Sequence, residues 1–365
     1  MTAPLLVVAA GGTGGHMFPA QALAEAMLGR GWRVALASDA RGLRYASGFP
    51  AEVERRETVA ATVSRGGAAT RLLSPLTLAR GTLAARAGFR RDPPALVAGF
   101  GGHPAFPALA AAGWLGLPRL IHEQNGVLGR VNRLFARRVD AVACGTWPLT
   151  NAPKGARLIE IGNPVRAAVL ERAGASYEPP APEGPFDLVA VGGSQGARVL
   201  SEQVPASVAA LDPALRARLR VAQQARPESE ARVREAYAAA GVAAEVAPFF
   251  DDLPARLARA HLVIARAGAS TVAELAALGR PSILIPFAAA MDDHQSANAR
   301  ALGDAALTIA EGELTQEGLA AHLAGLAQDA ARLGRMAQAA RARARPRAAA
   351  ELADLIETLS RRTRG

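Results

Sequence analysis

The stretch VVAAGGTGGH, residues 7–16, decides the fold class of this chain. An apolar run typical of a buried strand ends in a cluster of glycines, and a helical pattern follows. A similar stretch, VAVGGSQGAR, occupies residues 189–198. Each stretch predicts a strand, a tight turn and a helix whose first backbone N–H groups suit an anionic or hydroxyl-rich ligand. The alternative, that the glycines serve only close packing at the turn, stays open.

Apolar runs of strand type alternate with helical patterns through most of the chain. Continuous apolar strands separated by helices are typical of parallel sheets that are covered on both faces. We therefore predict an α/β protein with two doubly wound, Rossmann-like domains facing a cleft, since such sheets bind ligands beyond the carboxyl ends of their strands. The predicted strands are residues 5–10, 33–38, 95–100, 119–122, 140–145, 157–162, 186–193, 219–224, 243–249, 261–266 and 281–287.

The domain boundary is marked by a proline-rich segment, ASYEPPAPEGPFD at 175–187, which starts no regular element. It lies between two similar series of strands and helices. We predict an N-terminal domain over residues 1–163 and a C-terminal domain over 164–340. The remaining segment, 341–365, is predicted to form a helix that returns to the N-terminal domain.

The composition is that of a globular protein, since half of the residues are apolar and a fifth are charged. The single cysteine, Cys144, indicates a reducing compartment. No apolar run reaches the roughly 18 residues of a membrane span, and we expect a cytoplasmic protein without a signal peptide. The acidic pairs at 251–252 and 292–293 are adjacent rather than spaced as ligands, so we predict neither a metal site nor a cofactor.

The net charge of +10 would suit nucleic acid or an anionic membrane surface. Only Lys154 among the basic residues is a lysine, so the charge reflects a bias toward arginine along the whole chain. Aromatic residues make up 4% of the chain, and no base-stacking motif is present. We therefore predict that nucleic acid is not a partner.

The glycine stretches fail two nucleotide-binding fingerprints and match one catalytic motif. The dinucleotide pattern needs a glycine where Met17 stands, and a P-loop needs a lysine that the first stretch lacks. GGSQG at 192–196 fits the nucleophile elbow of hydrolases, but it equally fits a pyrophosphate cradle around Ser194. The histidines available to a hydrolase triad are His261, His294 and His322.

Polar side chains gather where predicted strands end. HEQN at 122–125 follows one strand, and Arg166 offers a guanidinium to a phosphate at the proposed hinge. GAST at 268–271 precedes a helix that Ser270 or Thr271 could cap, and Glu274 could belong to a capping box. Capping explains each group taken singly, whereas their shared position at strand ends favours a ligand site.

Six motifs occur in a fixed order along the chain: GGTGGH (11–16), HEQN (122–125), GNPVR (162–166), GGSQGA (192–197), GASTVAE (268–274) and DDHQSANA (292–299). Together they resemble the MurG family of glycosyltransferases, over nearly the whole chain. The resemblance implies the GT-B fold, UDP-N-acetylglucosamine as donor and undecaprenyl-pyrophosphoryl-MurNAc-pentapeptide, lipid I, as acceptor. It also implies a metal-independent inverting hexosyl transfer to the muramyl C4 hydroxyl, which forms lipid II in peptidoglycan synthesis.

The resemblance implies donor contacts in both domains. Thr13, Gly14 and Gly15 would face the sugar and the diphosphate, and Asn125 would contact the N-acetylglucosamine. Arg166 would lie near the diphosphate.

In the C-terminal, UDP-sugar-binding domain, Ser194 would also lie near the diphosphate, and Phe250 would contact uracil through its backbone. Glu274 would bind the ribose hydroxyls, and Gln295 would reach the donor sugar. The implied uridine pocket consists of Ala269, Ser270, Thr271, Val272, Ala273 and Glu274.

The reaction needs a general base, because the acceptor hydroxyl must lose its proton as the new bond forms. His16 is the first candidate, since imidazole groups ordinarily titrate near pH 6.5, and Glu123 is the second. The alternative for His16 is a hydrogen bond that only stabilises the glycine loop. The helix N-terminus after Gly196 and the charge of Arg166 would stabilise the departing UDP.

A lipid-linked acceptor requires contact with a membrane. Residues 64–91 interleave arginines with apolar side chains, which suits a cationic interfacial surface in an acceptor- and membrane-facing N-terminal domain. An ordinary amphipathic helix packed on the sheet is the alternative. The apolar side chains concerned are Leu72, Leu73, Leu76, Leu78, Leu83 and Phe89, with Trp114 nearby.

The expected location is therefore peripheral, at the cytoplasmic face of the cell membrane, with anionic lipid and proteins of cell-wall synthesis and division as partners. The nearest rival is a sugar-nucleotide 2-epimerase, which shares the fold and the donor but needs no lipid. An NAD-dependent dehydrogenase is disfavoured by the broken dinucleotide fingerprint.

Overall fold

The structure, a computed structural model, describes residues 3–11, 14–44, 46–58, 68–193 and 196–362, except the side chains of 68–74 and 362. The chain divides into two compact units. Unit 1 is Met1–Arg166 together with Arg345–Gly365, and unit 2 is Ala167–Ala344. The chain thus leaves unit 1 once, a few residues after the predicted boundary at 163, and returns to it a few residues after 340.

Unit 1 holds, within the described residues, a seven-stranded parallel sheet in the order β3-β2-β1-β4-β5-β6-β7. Successive side chains of β1 pack on opposite faces of the sheet, as the two-residue period of a strand requires. The strands are β1 Leu5–Ala9, β2 Arg33–Ser38, β3 Glu54–Glu57, β4 Leu96–Gly99, β5 Arg119–Glu123, β6 Ala141–Cys144 and β7 Leu158–Glu160.

Helices cover both faces of the first sheet, which explains why its central strands are continuously apolar. Leu23 and Met27 of α1 join Ile356 of α15 in the core on one face. Leu109 of α4 and Phe89 of α3 join the core on the other. The helices of unit 1 are α1 Gly14–Gly29, α2 Ala40–Leu43, α3 Ala68–Arg91, α4 Ala105–Trp114, α5 Arg130–Phe135 and α15 Ala348–Arg362.

Unit 2 repeats the architecture with a six-stranded parallel sheet, among the described residues, in the order β10-β9-β8-β11-β12-β13. Its strands are β8 Phe186–Val191, β9 Leu219–Gln224, β10 Ala243–Ala247, β11 Leu262–Ala265, β12 Ser282–Leu284 and β13 Ala306–Thr308. Its helices are α6 Ala167–Leu170, α7 Arg198–Ala209, α8 Pro213–Arg218, α9 Pro227–Ala239, α10 Leu253–Arg259, α11 Ala269–Leu278, α12 His294–Leu302, α13 Gln316–Gln328 and α14 Ala330–Ala342.

The predicted fold class, an α/β protein with two doubly wound parallel sheets, is confirmed, and every predicted strand forms. The prediction missed β3 and β13, each of which is one of the two edge strands of its sheet, whereas the other edge strands, β7 and β10, were predicted. Neither has the fully buried pattern of β1 or β11, so neither carries the continuous apolar run that identifies a central strand.

Strand order decides which loops become neighbours. The β1, β4 and β5 strands are adjacent in the first sheet, and β8, β11 and β12 are adjacent in the second. Their carboxyl ends therefore bring together loops that are distant in sequence. Among the helices that the structure describes, none is long and apolar enough to cross a membrane.

Candidate functional site

His16 lies in the first turn of α1, directly after the first glycine stretch. Its Nδ1 is 2.8 Å from the carbonyl oxygen of Gly11. A carbonyl oxygen only accepts, so Nδ1 carries the proton and donates it. In the neutral ring Nε2 is then the unprotonated nitrogen and can accept a proton. The loop-stabilising hydrogen bond that was the alternative for His16 is thus present, and it leaves the lone pair on the other ring nitrogen.

Glu123 ends β5 and is 2% exposed. Its Oε1 accepts hydrogen bonds from the backbone N–H and the side-chain amide of Asn125, at 3.2 and 3.1 Å. Its Oε2 accepts from the Gly129 backbone N–H at 2.9 Å and from Asn132 Nδ2 at 2.8 Å. Four contacts use the acceptor positions of both oxygens. This geometry fits a carboxylate that positions Asn125 and Asn132 better than one that removes a proton.

Asn132 is a site residue that sequence reasoning did not single out. It is 2% exposed, and its Oδ1 has no hydrogen-bond partner among the described residues. Gly101, at φ +90°, lies against it, since a Cβ there would be 3.3 Å from Asn132 Nδ2 and 3.4 Å from His16 Nε2. Loops after β1, β4 and β5 thus converge on His16, Gly101 and Glu123. The motif HEQNGVLGRVN contains Asn132, but only the fold shows that it meets His16.

His122 precedes Glu123 in β5, but its ring is inaccessible to a substrate. It is fully buried, with Nε2 3.1 Å from the Gly162 carbonyl oxygen and Nδ1 3.3 Å from Gln124 Nε2. Burial lowers the pKa of the His122 imidazole to about 4. The ring is therefore neutral near pH 7 and ties β5 to the GNPVR segment.

Arg166 closes that segment beside the first glycine loop. Its guanidinium lies 4.2 Å from the ring centroid of Phe18, in the second turn of α1. Gly14 is buried and Gly15 is exposed in the first turn of the same helix. Unit 1 therefore brings Gly14, Gly15 and Arg166 together, while Thr13 lies outside the described residues.

In unit 2, the GASTVAE motif forms the turn after β11 and the start of α11. The N-cap is Gly268, so neither Ser270 nor Thr271 caps the helix, and that alternative is wrong. Because α11 begins at Ala269, Glu274 is also too far along for a capping box. Glu274 is 6% exposed and the Ser270 hydroxyl is buried. The remaining pocket residues, Ala269, Thr271, Val272 and Ala273, all lie in the first two turns of α11.

Two further predicted donor contacts in unit 2 follow other strands of the same sheet. Phe250 follows β10, is 6% exposed, and has the Arg256 guanidinium 4.3 Å from its ring centroid. Gln295 lies in the first turn of α12, where its Oε1 accepts from the Phe287 N–H at 3.0 Å. Ser194 lies outside the described residues.

Each histidine proposed for a hydrolase triad has another environment in unit 2: His294, at the start of α12, has its Nδ1 2.7 Å from the Met291 carbonyl oxygen. His261 accepts from the Asp187 N–H at 2.8 Å at the start of β8, whereas the glycine loop follows the other end of that strand, about 15 Å away. His322 is exposed on α13. Within the described ranges, no group of three or more His, Cys, Asp or Glu side chains is placed to hold a metal ion.

Two Rossmann-like units, each with glycines after its first strand, form the GT-B fold. The model of the glycosyltransferase family 28 N-terminal domain matches residues 6–144, and that of the C-terminal domain matches 188–358. The chain belongs to glycosyltransferase family 28, and within it to the MurG family.

Named relatives match along almost the full length. The UDP-N-acetylglucosamine–N-acetylmuramyl-(pentapeptide) pyrophosphoryl-undecaprenol N-acetylglucosamine transferase of Phenylobacterium zucineum is 51% identical, over 97% of this chain and 98% of the relative. The transferase of the same name from Caulobacter vibrioides is also 51% identical, over 98% and 99%. The crystal structure of Acinetobacter baumannii MurG aligns with a TM-score of 0.76 at 28% identity, over 98% of this chain and 99% of that one.

Proposed function

We propose that this chain transfers N-acetylglucosamine from UDP-N-acetylglucosamine to the C4 hydroxyl of the muramyl sugar of lipid I. The product is lipid II, the disaccharide precursor of peptidoglycan. The observation that carries this function is 51% identity, over 97% of the chain, to a transferase that bears this name. The same observation favours transfer over 2-epimerisation, which would share the fold and the donor.

His16 serves as the general base. The acceptor O4–H donates to Nε2, the O4–C1 bond forms, and the C1–O bond to the diphosphate breaks on the opposite face of the sugar. The donor is α-linked and the product β-linked, so one displacement gives the inversion. The hydrogen bond from Nδ1 to Gly11 fixes the neutral tautomer in which the proton is on Nδ1, and it also stabilises the imidazolium that forms.

Glu123 acts through its neighbours rather than on the acceptor proton. Its Oε1 orients the Asn125 side chain, which contacts the N-acetylglucosamine, and its Oε2 holds Asn132 beside His16. The Asn132 amide donates to Glu123, and its buried Oδ1 makes no hydrogen bond among the described residues.

The donor's charged part is held by backbone and guanidinium groups. Gly14 and Gly15 begin α1, and Arg166 lies beside that helix against Phe18. Together with Thr13 and Ser194 these groups take the diphosphate, whose negative charge grows as UDP leaves.

The start of α11 takes the uridine. Its N-cap has no side chain to occupy the first N–H groups, and Glu274 binds the ribose hydroxyls. Phe250 contacts the uracil through its backbone.

Unit 1 carries the membrane-binding surface. Leu76, Leu83 and Trp114 are 63%, 52% and 60% exposed on α3 and α4, which pack against each other. The Arg86 guanidinium lies 4.5 Å from the Trp114 ring centroid and adds positive charge to the same surface. Phe89 does not belong to it, because that ring is 5% exposed in the core. Leu72 and Leu73 lie where side chains are not described.

We expect the enzyme to bind peripherally at the cytoplasmic face of the cell membrane with anionic lipid as its partner, and the exposed apolar and cationic side chains of this surface support that location. Proteins of cell-wall synthesis and division are the protein partners that the substrate implies.

The decisive experiment incubates the protein with radiolabelled UDP-N-acetylglucosamine and a lipid I analogue. The expected result is label in the lipid product that depends on the analogue. Release of UDP-N-acetylmannosamine without any acceptor would instead identify an epimerase.

A further inference from the structure

An arginine at the end of β11 clamps the loop that follows β12. Arg266 is 8% exposed, and its Nη1 donates to the carbonyl oxygens of Ile285 and Pro286 at 3.1 and 3.2 Å. Nη1 and Nη2 also donate to the two carboxylate oxygens of Glu311, each at 3.0 Å. A paired, two-pronged contact of this kind fixes both partners in orientation as well as in distance.

Glu311 also holds the same loop directly, two residues beyond Pro286. Its Oε2 accepts from the Ala288 N–H at 2.8 Å. The preceding N–H, of Phe287, donates to Gln295 Oε1 at 3.0 Å. Two successive backbone N–H groups are therefore held, one by Glu311 and the other by the predicted donor-sugar contact. The Arg266 guanidinium lowers the pKa of the Glu311 carboxyl, so this residue is charged at neutral pH.

The contact with Phe287 also settles which end of the Gln295 amide points away from the loop. A backbone N–H can only donate, so the atom facing it is the side-chain oxygen. The NH₂ group then points away from Phe287 and offers two donors, which suit the hydroxyl or carbonyl oxygens of a sugar.

We propose that Glu311 is a positioning residue for recognition of the donor sugar, because it holds the 285–288 loop so that Gln295 presents its amide NH₂ to that sugar. This inference rests on the proposed function and on the contact between Gln295 and the donor sugar that the family resemblance implies. Glu311 lies between β13 and α13, outside every motif that marks the family in this sequence.

The test compares two probes of wild type and of Glu311→Gln by calorimetry: UDP-N-acetylglucosamine and UDP, which lacks the sugar. We expect the variant to bind UDP-N-acetylglucosamine about three- to tenfold more weakly, the range of one hydrogen bond. Its affinity for UDP should match wild type. Glu313→Gln is the matched control, since Glu313 is exposed in the same turn and should change neither affinity.

A second measurement separates positioning from general damage. In a Gln295→Ala background, Glu311→Gln should weaken sugar-nucleotide binding by less than twofold, because the group it positions is gone. If Glu311→Gln unfolds, Glu311→Asp keeps the charge with a shorter reach and should show a smaller loss with the same selectivity for UDP-N-acetylglucosamine.

Equal weakening of both probes, no weakening of either, or full additivity with Gln295→Ala would overturn the inference while leaving the proposed transferase intact. A wild-type protein that binds UDP but gains nothing from the sugar, and transfers none, would overturn both.

Discussion

His16 lies near Gly101 and His122 packs near the ring of Phe100, yet their surroundings give the two imidazoles opposite uses. His122 is buried, and both of its nitrogens face hydrogen-bonding groups of the protein. His16 is only partly buried, and within the described part of the chain no hydrogen bond occupies its Nε2. The His122 ring is therefore a structural link, whereas Nε2 of His16 is available to a substrate proton.

Replacing His16 separates its two roles. His16→Asn keeps a donor near Gly11 but has no group that titrates near neutral pH, and His16→Ala has neither. If His16 is the base, both variants lose about 10²- to 10⁴-fold in kcat, as steady-state transfer assays would measure. Near-normal turnover in His16→Asn, with loss only in His16→Ala, would assign it to the loop instead. His322→Ala, on an exposed helical surface, is the control.

His122 should make stability depend on pH. Its folded pKa is about 4, below the unfolded value of 6.5, so below pH 6.5 the unfolded state binds the proton first. The stabilisation is full above pH 6.5 and is lost as pH falls toward 4, by up to about 3 kcal/mol. Urea unfolding at several pH values should show this slope in wild type and a shallower one in His122→Gln. Parallel slopes would contradict the prediction.

At the scale of elements, the solvent exposure of a strand or helix decides whether its sequence pattern identifies it. The β3 strand has the sequence ERRE and β13 has ALT, and both depend on one neighbouring strand for their hydrogen bonds. Helix α3 has apolar side chains that are not all buried. Phe89 packs in the core, while Leu76 and Leu83 stay exposed. These exposed leucines, on a helix already anchored in the core, are the basis of the proposed membrane-binding surface.

The α3 surface should bind anionic vesicles in a salt-sensitive way. Leu83→Asp removes apolar area and adds a repelling charge, so we expect roughly tenfold weaker binding in flotation assays. Raising the salt concentration should weaken wild-type binding too. Ala321→Asp, exposed on α13 of unit 2, is the control for added charge alone. Flotation indifferent to both salt and Leu83→Asp would reject the membrane surface.

At the scale of the whole molecule, unit 1 is completed by the end of the chain. Gly162, at φ +92°, lies against the returning chain, since a Cβ there would be 2.6 Å from the Arg345 Cβ. Helix α15 then places Leu352 and Ile356 in the core beside α1. Residues separated by more than three hundred positions thus share one core, and unit 1 cannot form fully until α15 has been made.

Ile356→Ala should therefore destabilise unit 1 by about 2–4 kcal/mol, because it removes buried methyl groups from a packed core. Hydrogen exchange should show faster opening of β1 and α1, while β8 and β11 keep wild-type protection. Glu351→Ala, exposed on the same helix, should change stability by less than about 0.5 kcal/mol. Equal loss of protection in both units would contradict this division.

The sequence by itself determined the parallel sheets and the two glycine loops, because buried strands and strand-to-helix turns depend on neighbours a few residues away. The six motifs in their order along the chain also resemble those of the MurG family, a likeness that needs no geometry. Edge strands β3 and β13 escaped notice, since a half-exposed strand needs no apolar run.

Only the tertiary structure decided which hydrogen-bond partners meet at the candidate site. The His16 tautomer depends on a loop carbonyl, the Glu123 contacts depend on how the chain turns after β5, and the Gln295 orientation depends on Phe287 and Glu311. Each of these is a hydrogen bond, which forms only when donor and acceptor come within about 3 Å of each other. Strand order, rather than distance along the chain, decides which donors and acceptors come that close.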